Sequence, residues 1–168
     1  MIEIVEADIA RLNVDAIVNA ANSALAGGFG VDGAIHRDAG PELAAAATAF
    51  APLPPGEAVI TPGFRLPARY VIHTVGPRWR GGQENEPATL RSAYKRSFEL
   101  ARSKPEIRSI AFPAISTGAY GFPKELAAEI AFSVMRENEQ QFDRIVACLF
   151  YDPENTVIYR RQHGESDT

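Results

Sequence analysis

The stretch of sequence that decides the fold is VDAIVNAANSALAGGFGVDGAIH, at residues 14–36. Its mainly apolar segment 15–20 predicts a buried β-strand, and glycines separate that strand from an alanine-rich helical pattern at residues 34–50. The prolines at residues 52–55 end the predicted helix, because proline lacks the N–H group that a helix interior needs. A strand, a glycine-rich turn and a helix in succession indicate an α/β protein.

The same alternation continues along the rest of the chain. Apolar runs predict further strands at residues 2–5, 58–61, 70–75, 109–113 and 144–151. Helical spacing predicts helices at residues 86–103, at residues 125–137 and from Glu154 onward, and the polar tail 163–168 is predicted to fray. The chain has 168 residues and no internal repeat. We therefore expect one domain, residues 1–168, with a mostly parallel sheet between layers of helices.

The composition of the chain argues against several classes of protein. Its net charge of -4 and the lack of a basic, aromatic stripe disfavour a nucleic-acid partner. Cys148 is the one cysteine, so no internal disulfide forms, and its apolar neighbours predict a buried, unreactive thiol. No apolar stretch reaches the roughly 18 residues of a membrane span, and the first residues do not resemble a signal peptide. We therefore expect a cytoplasmic protein without a membrane partner.

Two glycine-rich segments follow predicted strands, at residues 27–33 and 113–123. Ligands of open α/β sheets bind beyond the carboxyl ends of the strands, and backbone N–H groups at a helix N-terminus suit a phosphate. Either segment alone is equally well explained as a plain strand-to-helix connection, whereas two at one sheet edge favour a diphosphate clamp. A dinucleotide fold is disfavoured, because residues 48–53 lack the acidic residue that would accompany the glycine pattern.

Other catalytic signatures are missing from the sequence. It contains no lysine-bearing phosphate loop, no nucleophile elbow and no zinc-binding helix motif. The three histidines, His36, His73 and His163, do not have the spacing of metal ligands. The sequence therefore predicts no metal site.

Several motifs taken together resemble one protein family. VDAIVNAAN at residues 14–22, GVDGAIH at residues 30–36 and PAISTG at residues 113–118 are similar, in this order, to motifs of the macrodomain family. Residues 73–77 and 151–155 fit as well, so the likeness covers nearly the whole chain. The chain resembles the MacroD-type branch in particular, which includes bacterial O-acetyl-ADP-ribose deacetylases. The resemblance implies a three-layer α/β/α sandwich with a mixed, mostly parallel sheet and a cleft for ADP-ribose.

For the adenine end of the ligand, the resemblance implies contacts with Asp8, with the backbone N–H of Ile9 and with the ring of Tyr151. Asp8 would accept a hydrogen bond from the adenine amino group, and it is also placed to cap a short turn that begins at Ile9. Tyr151 would lie against the adenine ring, although a half-buried tyrosine at a strand end is the alternative interpretation.

The resemblance implies that two loops enclose the diphosphate. Their ligand-binding residues would be Gly28, Phe29, Gly30, Val31, Ser116, Thr117, Gly118, Ala119 and Tyr120. Tyr120 would close over the distal ribose or the phosphates. The family usually has glycine at the position of Phe29, so Phe29 would be strained if that position requires a positive φ. Its ring would then either cover the distal ribose or bias the loop away from the reactive conformation and so restrain turnover.

Asn22 and Asp32 are the catalytic residues that the resemblance implies. Both would face the distal ribose, where Asn22 holds the sugar and Asp32 orients or deprotonates the attacking water, a task that an oxygen of the α-phosphate would be able to share. The water would attack near the anomeric carbon or at the ester carbonyl. Without the family, Asp32 would be interpreted as the cap of a helix that begins near Gly33. Asn19 is assigned a structural role, and His36 is assigned to packing or to support of the site.

The function implied by the resemblance is that of a hydrolase. It would remove mono-ADP-ribose from acidic side chains of proteins and deacetylate O-acetyl-ADP-ribose, with no metal and no cofactor. Its expected partners are ADP-ribose, mono-ADP-ribosylated proteins and O-acetyl-ADP-ribose, and we expect a monomer. The alternative is a module that binds ADP-ribose without turnover, which Phe29 favours. A role as an RNA-binding or ribonuclease-regulating partner is disfavoured by the net charge of -4.

Overall fold

Six strands form a single sheet. The computed structural model describes residues 1–164, and within them the strands are β1 (Ile2–Glu6), β2 (Ala16–Ala21), β3 (Ala58–Pro62), β4 (Tyr70–Val75), β5 (Ser109–Phe112) and β6 (Arg144–Leu149). Their spatial order is β1-β6-β5-β2-β4-β3. All neighbours pair in parallel except β3, which is antiparallel to β4 at the edge of the sheet. The predicted mixed, mostly parallel sheet is confirmed.

Helices cover both faces of this sheet. They are α1 (Gly30–Ala39), α2 (Pro41–Ala47), α3 (Glu86–Arg102), α4 (Lys124–Asn138) and α5 (Pro153–His163), with single 3-10 turns at Ile9–Arg11, Thr48–Phe50 and Glu139–Gln141. One core contains Phe98 of α3, Phe132 of α4 and Tyr159 of α5. The other contains Ile35 of α1 and Leu43 of α2. Burying each such side chain contributes roughly 1.5–3 kcal/mol, so both cores hold the predicted three-layer sandwich together.

β2 lies in the middle of the sheet and carries the deciding stretch of sequence. Ile17 and Val18 are both fully buried, because successive side chains point to opposite faces and each face has its own core. Ala16 pairs with Tyr70 on one side and with Ile110 on the other. The strand therefore ends at the carboxyl edge of the sheet, and Asn22 follows directly.

The predicted single helix at residues 34–50 is wrong in its extent. Gly40, with a φ of 87°, ends α1, and Pro41 begins α2. A positive φ interrupts the helical backbone, and proline is accepted in the first helical turn, where its missing N–H group is not needed. The Gly–Pro pair therefore divides the segment into two short helices and a final 3-10 turn.

Two other element boundaries also differ from the predictions. The last strand ends at Leu149 rather than at residue 151, because Tyr151 turns the chain with a φ of 50°. His163 belongs to α5 and its Nε2 lies 2.6 Å from the carbonyl oxygen of Ile2, so that part of the tail is ordered; residues 165–168 lie outside the described residues.

Along residues 1–164, no helix has the length and apolar character to cross a membrane.

Candidate functional site

A cleft opens at the carboxyl edge of the sheet, between β2 and β5. The helices that follow these neighbouring strands, α1 and α4, pack on opposite faces, which leaves a crevice where the chain directions diverge. The crevice has a volume of about 630 Å³. It is lined by Ala20, Ala21, Asn22, Gly27, Gly28, Phe29, Gly30, Val31, Asp32, Gly76, Pro113, Ala114, Ile115, Ser116, Thr117, Gly118, Ala119, Tyr120, Cys148, Leu149, Phe150 and Asp152. Every predicted binding residue is among them except Asp8, Ile9 and Tyr151.

The first wall of the cleft is the glycine-rich loop that leads into α1. The first turn of this helix leaves backbone N–H groups without intrahelical partners, and those of Gly28 to Asp32 donate to no protein atom in residues 1–164. These donors and the positive end of the helix dipole together suit an anion. The first wall is therefore able to hold a phosphate without lysine or arginine.

The opposite wall is the loop Ser116–Tyr120. Its backbone N–H groups also donate to no protein atom in residues 1–164, and the buried Oγ of Ser116 has no hydrogen-bond partner. Ser116 has a φ of 70°, a conformation that costs free energy in a non-glycine residue. Gly76 lets β4 end against this loop, because a Cβ at that position would overlap the Oγ of Ser116. The second wall thus offers unsatisfied donors that face the first.

Buried polar contacts anchor the second wall to α5. The Nδ2 of Asn155 donates to Thr117 Oγ1 at 3.2 Å and to Asp152 Oδ2 at 2.7 Å. Asp152 also caps α5 by accepting a hydrogen bond from the backbone N–H of Asn155. Asn155 is fully buried, so these bonds are shielded from water and fix the loop to the helix. Residues 151–155 are recognisable as a motif in the sequence, but this linking role of Asn155 is not.

Asp32 lies at the base of the cleft and is 6% exposed. Its Oδ1 accepts a 2.8 Å hydrogen bond from Nδ2 of Asn19, whereas its Oδ2 has no protein partner in residues 1–164. Since α1 begins at Gly30, Asp32 lies within the first helical turn; the interpretation of Asp32 as the cap of a helix near Gly33 is wrong. The carboxyl group is therefore held through one oxygen and leaves the other for a ligand.

Asn19 is held in turn by His73. The two residues are directly paired between β2 and β4, and Asn19 Nδ2 lies 3.2 Å from His73 Nδ1. Because the amide nitrogen only donates, Nδ1 accepts, and Nε2 carries the proton that it donates to Thr61 Oγ1 at 3.0 Å. Burial, followed by the charge of His36, lowers the pKa of His73 to about 4, so the ring is neutral at pH 7. This role of His73 is not visible in the sequence, because its contact with Asn19 depends on strand register.

His36 approaches Asp32 from the next turn of α1. Its Nε2 lies 3.4 Å from Asp32 Oδ1 and has no hydrogen-bond partner in residues 1–164. The rings of His36 and His73 are 6.3 Å apart between centroids, so the two imidazoles enclose the buried end of the Asn19–Asp32 pair. This position agrees with the assignment of His36 to packing or support of the site.

Asn22 and Asp32 meet at Gly28. A Cβ on Gly28 would lie 3.0 Å from Asp32 Oδ2 and 3.4 Å from Asn22 Nδ2, so the two side chains flank the same glycine. Asn22 also holds its own loop, since its Oδ1 accepts from Leu25 N–H and its Nδ2 donates to Gly27 O, both at 3.2 Å. One hydrogen of Nδ2 is left for a ligand. The two predicted catalytic residues are therefore brought together.

Phe29 does not strain the loop. Its φ is -109° and its ψ is 172°, an extended conformation open to any residue, and the positive φ falls on Gly30 instead. The condition for strain at Phe29, a positive φ, is therefore not met. The ring is 98% exposed at the rim of the cleft, where a bound ligand would cover part of it.

The far end of the cleft is more apolar. Phe150 lines it, whereas Tyr151 is 90% exposed and packs against Phe150 with ring centroids 4.3 Å apart and the rings tilted by 42°. The predicted end of β6 lies two residues too late, so Tyr151 is among the predicted binding residues and Phe150 is not. Asp8 caps the turn at Ile9 by accepting from the backbone N–H of Ala10 at 3.0 Å, as predicted.

Cys148 forms part of the floor at this end. It is buried, as predicted, and its thiol donates to the carbonyl of Ala7. Burial, together with the charge of Asp8, raises the pKa of Cys148 to about 11 against the opposing effect of that hydrogen bond, so the thiol stays protonated at neutral pH. Across residues 1–164, no group of three or more histidine, cysteine or acidic side chains is arranged to hold a metal ion.

Comparisons with known proteins agree with this architecture. The family model of the Macro domain matches residues 18–131. A macro domain-containing protein of Ralstonia nicotianae is 60% identical over 144 residues, which cover 86% of this chain and 84% of that protein. The O-acetyl-ADP-ribose deacetylase of Klebsiella pneumoniae is 53% identical over 165 residues, which cover 95% of this chain and 94% of that protein. A mutant of the Oceanobacillus iheyensis macrodomain, solved with ADPR, has a TM-score of 0.89 at 41% identity and covers 97% of this chain and 91% of its own.

Proposed function

Because the chain belongs to the macrodomain family, we propose that it binds ADP-ribose in the cleft and hydrolyses esters of the distal ribose. The proposed substrates are O-acetyl-ADP-ribose and proteins that carry mono-ADP-ribose on acidic side chains. Both contain a carboxylic ester on the same ribose, so one site serves both reactions. A relative with this deacetylase name at 53% identity supports the choice of reaction.

The observation that carries the proposal is the pair of facing loops with free backbone donors. Gly28 to Asp32 and Ser116 to Tyr120 present N–H groups from opposite walls of one cleft. A diphosphate has anionic oxygens on both sides, and hydrogen bonds to charged groups are worth about 1.5–3 kcal/mol each. The two walls thus clamp a diphosphate, with the adenine toward Phe150 and the distal ribose toward Asn22 and Asp32.

The chemistry follows from the free oxygen of Asp32. A water molecule attacks the ester carbonyl, and its proton passes to Oδ2 of Asp32, the oxygen that Asn19 leaves unoccupied. The bond from the carbonyl carbon to the ribose oxygen breaks, that oxygen takes the proton back from Oδ2 of Asp32, and ADP-ribose and a carboxylic acid are released. Asn22 positions the ribose, and free N–H groups beside the phosphates stabilise developing negative charge. Every step uses groups of this chain and water.

The test compares three ligands of known linkage. Purified protein is incubated with O-acetyl-ADP-ribose, with a protein mono-ADP-ribosylated on glutamate and with one modified on arginine, and free ADP-ribose is followed over time. The proposal expects release from the two esters, while the arginine linkage, which is not an ester, stays intact. Binding of ADP-ribose by calorimetry without release from either ester would identify the second candidate, a binding module without turnover. The monomeric state and cytoplasmic location remain predictions.

A further inference from the structure

A second cavity adjoins the cleft at the end that faces away from Phe150. It has a volume of about 460 Å³ and shares three lining residues with the first cavity, namely Asn22, Gly76 and Tyr120. If the distal ribose lies at Asn22, the group that is esterified to it points toward this second cavity. An acetyl group is too small to fill that space, whereas a polypeptide that carries ADP-ribose has to pass through or beside it.

One wall of the second cavity is held rigid by Glu86. This side chain is 2% exposed, and its two oxygens accept hydrogen bonds from the backbone N–H groups of Arg80, Gly82 and Glu84 at 2.7–2.9 Å. Burial alone raises the pKa of Glu86, but these backbone hydrogen bonds outweigh it and lower the pKa to about 2. The turn at residues 80–84 is therefore preorganised, which reduces the entropy lost when a partner binds.

Trp79 and Tyr120 connect this turn to the cleft. The ring of Trp79 packs edge-on against Phe122 with a centroid distance of 4.9 Å. Its backbone N–H donates to the carbonyl oxygen of Tyr120 at 2.8 Å. Tyr120 lines both cavities with its backbone tied to Trp79, and the guanidinium of Arg78 lies 4.7 Å from the centroid of its ring.

Of the two arginines that line the second cavity, Arg78 has no carboxylate partner within residues 1–164. Arg80 pairs with Glu84 at 3.7 Å, and Glu86 is occupied by backbone donors. Arg78 has no carboxylate within ion-pairing distance in residues 1–164. The whole chain carries a net charge of -4, so a preference for an acidic partner has to come from this local charge and not from general attraction.

We propose that the second cavity binds the polypeptide segment next to the modified side chain, and that Arg78 selects segments with a further carboxylate there. This inference rests on the proposed hydrolysis of esters on proteins. The preferred substrates are then proteins whose modified side chain lies within an acidic stretch of sequence. O-acetyl-ADP-ribose, which has no polypeptide, does not reach Arg78.

The experiment uses two peptides, each mono-ADP-ribosylated on one glutamate and flanked either by aspartates or by the isosteric asparagines. We expect the wild-type protein to prefer the aspartate peptide by about threefold to fivefold in kcat/KM, the value of an exposed ion pair. The preference should shrink at high salt, because exposed charges are screened. Arg78→Gln should remove it and leave kcat/KM for O-acetyl-ADP-ribose within about twofold.

Arg65→Gln is the matched control, since Arg65 is a similarly exposed arginine that pairs with Glu42 outside both cavities. It should keep the wild-type preference. Equal kcat/KM for the two peptides, or a preference that survives in Arg78→Gln, would overturn the inference. If neither peptide nor O-acetyl-ADP-ribose is hydrolysed, the proposed function fails; calorimetric binding of the two peptides to wild type and Arg78→Gln then decides the inference by the same comparison.

Discussion

Replacing Asn19 by alanine tests whether the buried polar chain behind the cleft positions Asp32. The variant loses the 2.8 Å hydrogen bond to Asp32 and the 3.2 Å contact with His73. A hydrogen bond to a charged group is worth about 1.5–3 kcal/mol, and a buried acceptor left unpaired adds to that cost. We therefore expect a loss of about 3 kcal/mol in the free energy of unfolding, or roughly 6–12 °C in Tm for a domain of this size.

Asn19→Ala should lower kcat much more than it weakens ADP-ribose binding, whereas the loss of a purely structural residue should not separate the two. Asn19 is fully buried and does not line the cleft, so the Kd for ADP-ribose should change by less than about threefold. Asp32 loses its fixed orientation, so kcat for O-acetyl-ADP-ribose should fall by about tenfold or more, because misplaced catalytic groups lose much of their effect. Unfolding is followed by calorimetry, binding by titration calorimetry and turnover by release of ADP-ribose.

Asn138→Ala provides the control for a buried asparagine without a role at the site. Its Nδ2 donates to the carbonyl of Val134 at 2.9 Å at the end of α4, away from the cleft. It should lower Tm while leaving kcat unchanged. An Asn19→Ala protein with reduced Tm and wild-type kcat would refute the reasoning, since Asp32 would then need no support from Asn19.

Three further predictions concern the two ends of the cleft and the buried histidine. Asp8→Ala should weaken ADP-ribose binding by about 1–3 kcal/mol through loss of the hydrogen bond to adenine, and unchanged calorimetric affinity would show that the adenine lies elsewhere. Phe29→Gly should weaken ADP-ribose binding by about 1 kcal/mol, because a bound ligand covers part of the exposed ring; since Phe29 is unstrained, a rise in turnover would contradict this account. Because the pKa of His73 falls from 6.5 to about 4 on folding, its contribution to stability is complete above pH 6.5 and is lost as the pH falls toward 4. This loss should lower the free energy of unfolding of the wild type by about 2 kcal/mol from pH 7 to pH 5. His73→Gln keeps an acceptor for Asn19 but has no titrating group there, so its free energy of unfolding should fall by about 2 kcal/mol less over the same range. Equal pH dependence of the two proteins in urea titrations would argue against a buried neutral His73.

The sheet and the two loops were predictable because their signals are local. The apolar run before Asn22 and the glycines after it indicate a strand that ends in a ligand-binding turn, whatever the rest of the chain does. The same holds for the segment after β5. The motifs then identified the family and with it the positions of Asn22 and Asp32, which the structure brings together at Gly28.

The errors arose where a local pattern was extended too far. The Gly40–Pro41 pair was visible in the sequence, but the alanine-rich pattern on both sides suggested one continuous helix. Strain at Phe29 depended on whether that position needs a positive φ, and in the structure this conformation falls on Gly27 and Gly30. Composition alone does not locate such a turn to a single residue.

The contacts that support the site could not be predicted from the sequence. His73 meets Asn19 only because β2 and β4 pair in one particular register, and those residues are 54 positions apart. Asn155 of α5 reaches Thr117, which lies in the loop after β5 and is 38 positions away in the sequence. Such partners depend on the packing of distant elements, and no periodicity in the chain reports on them.

The most direct test of the account is a time course of ADP-ribose release from a protein mono-ADP-ribosylated on glutamate, with wild type and Asp32→Ala side by side. The account predicts release by wild type and a rate about 10²–10⁴ times lower for Asp32→Ala, the usual range for loss of a general base. Binding of free ADP-ribose by the variant should stay within roughly tenfold of wild type. Equal rates for the two proteins, or loss of binding in proportion to loss of rate, would contradict the assignment of Asp32 to the reaction.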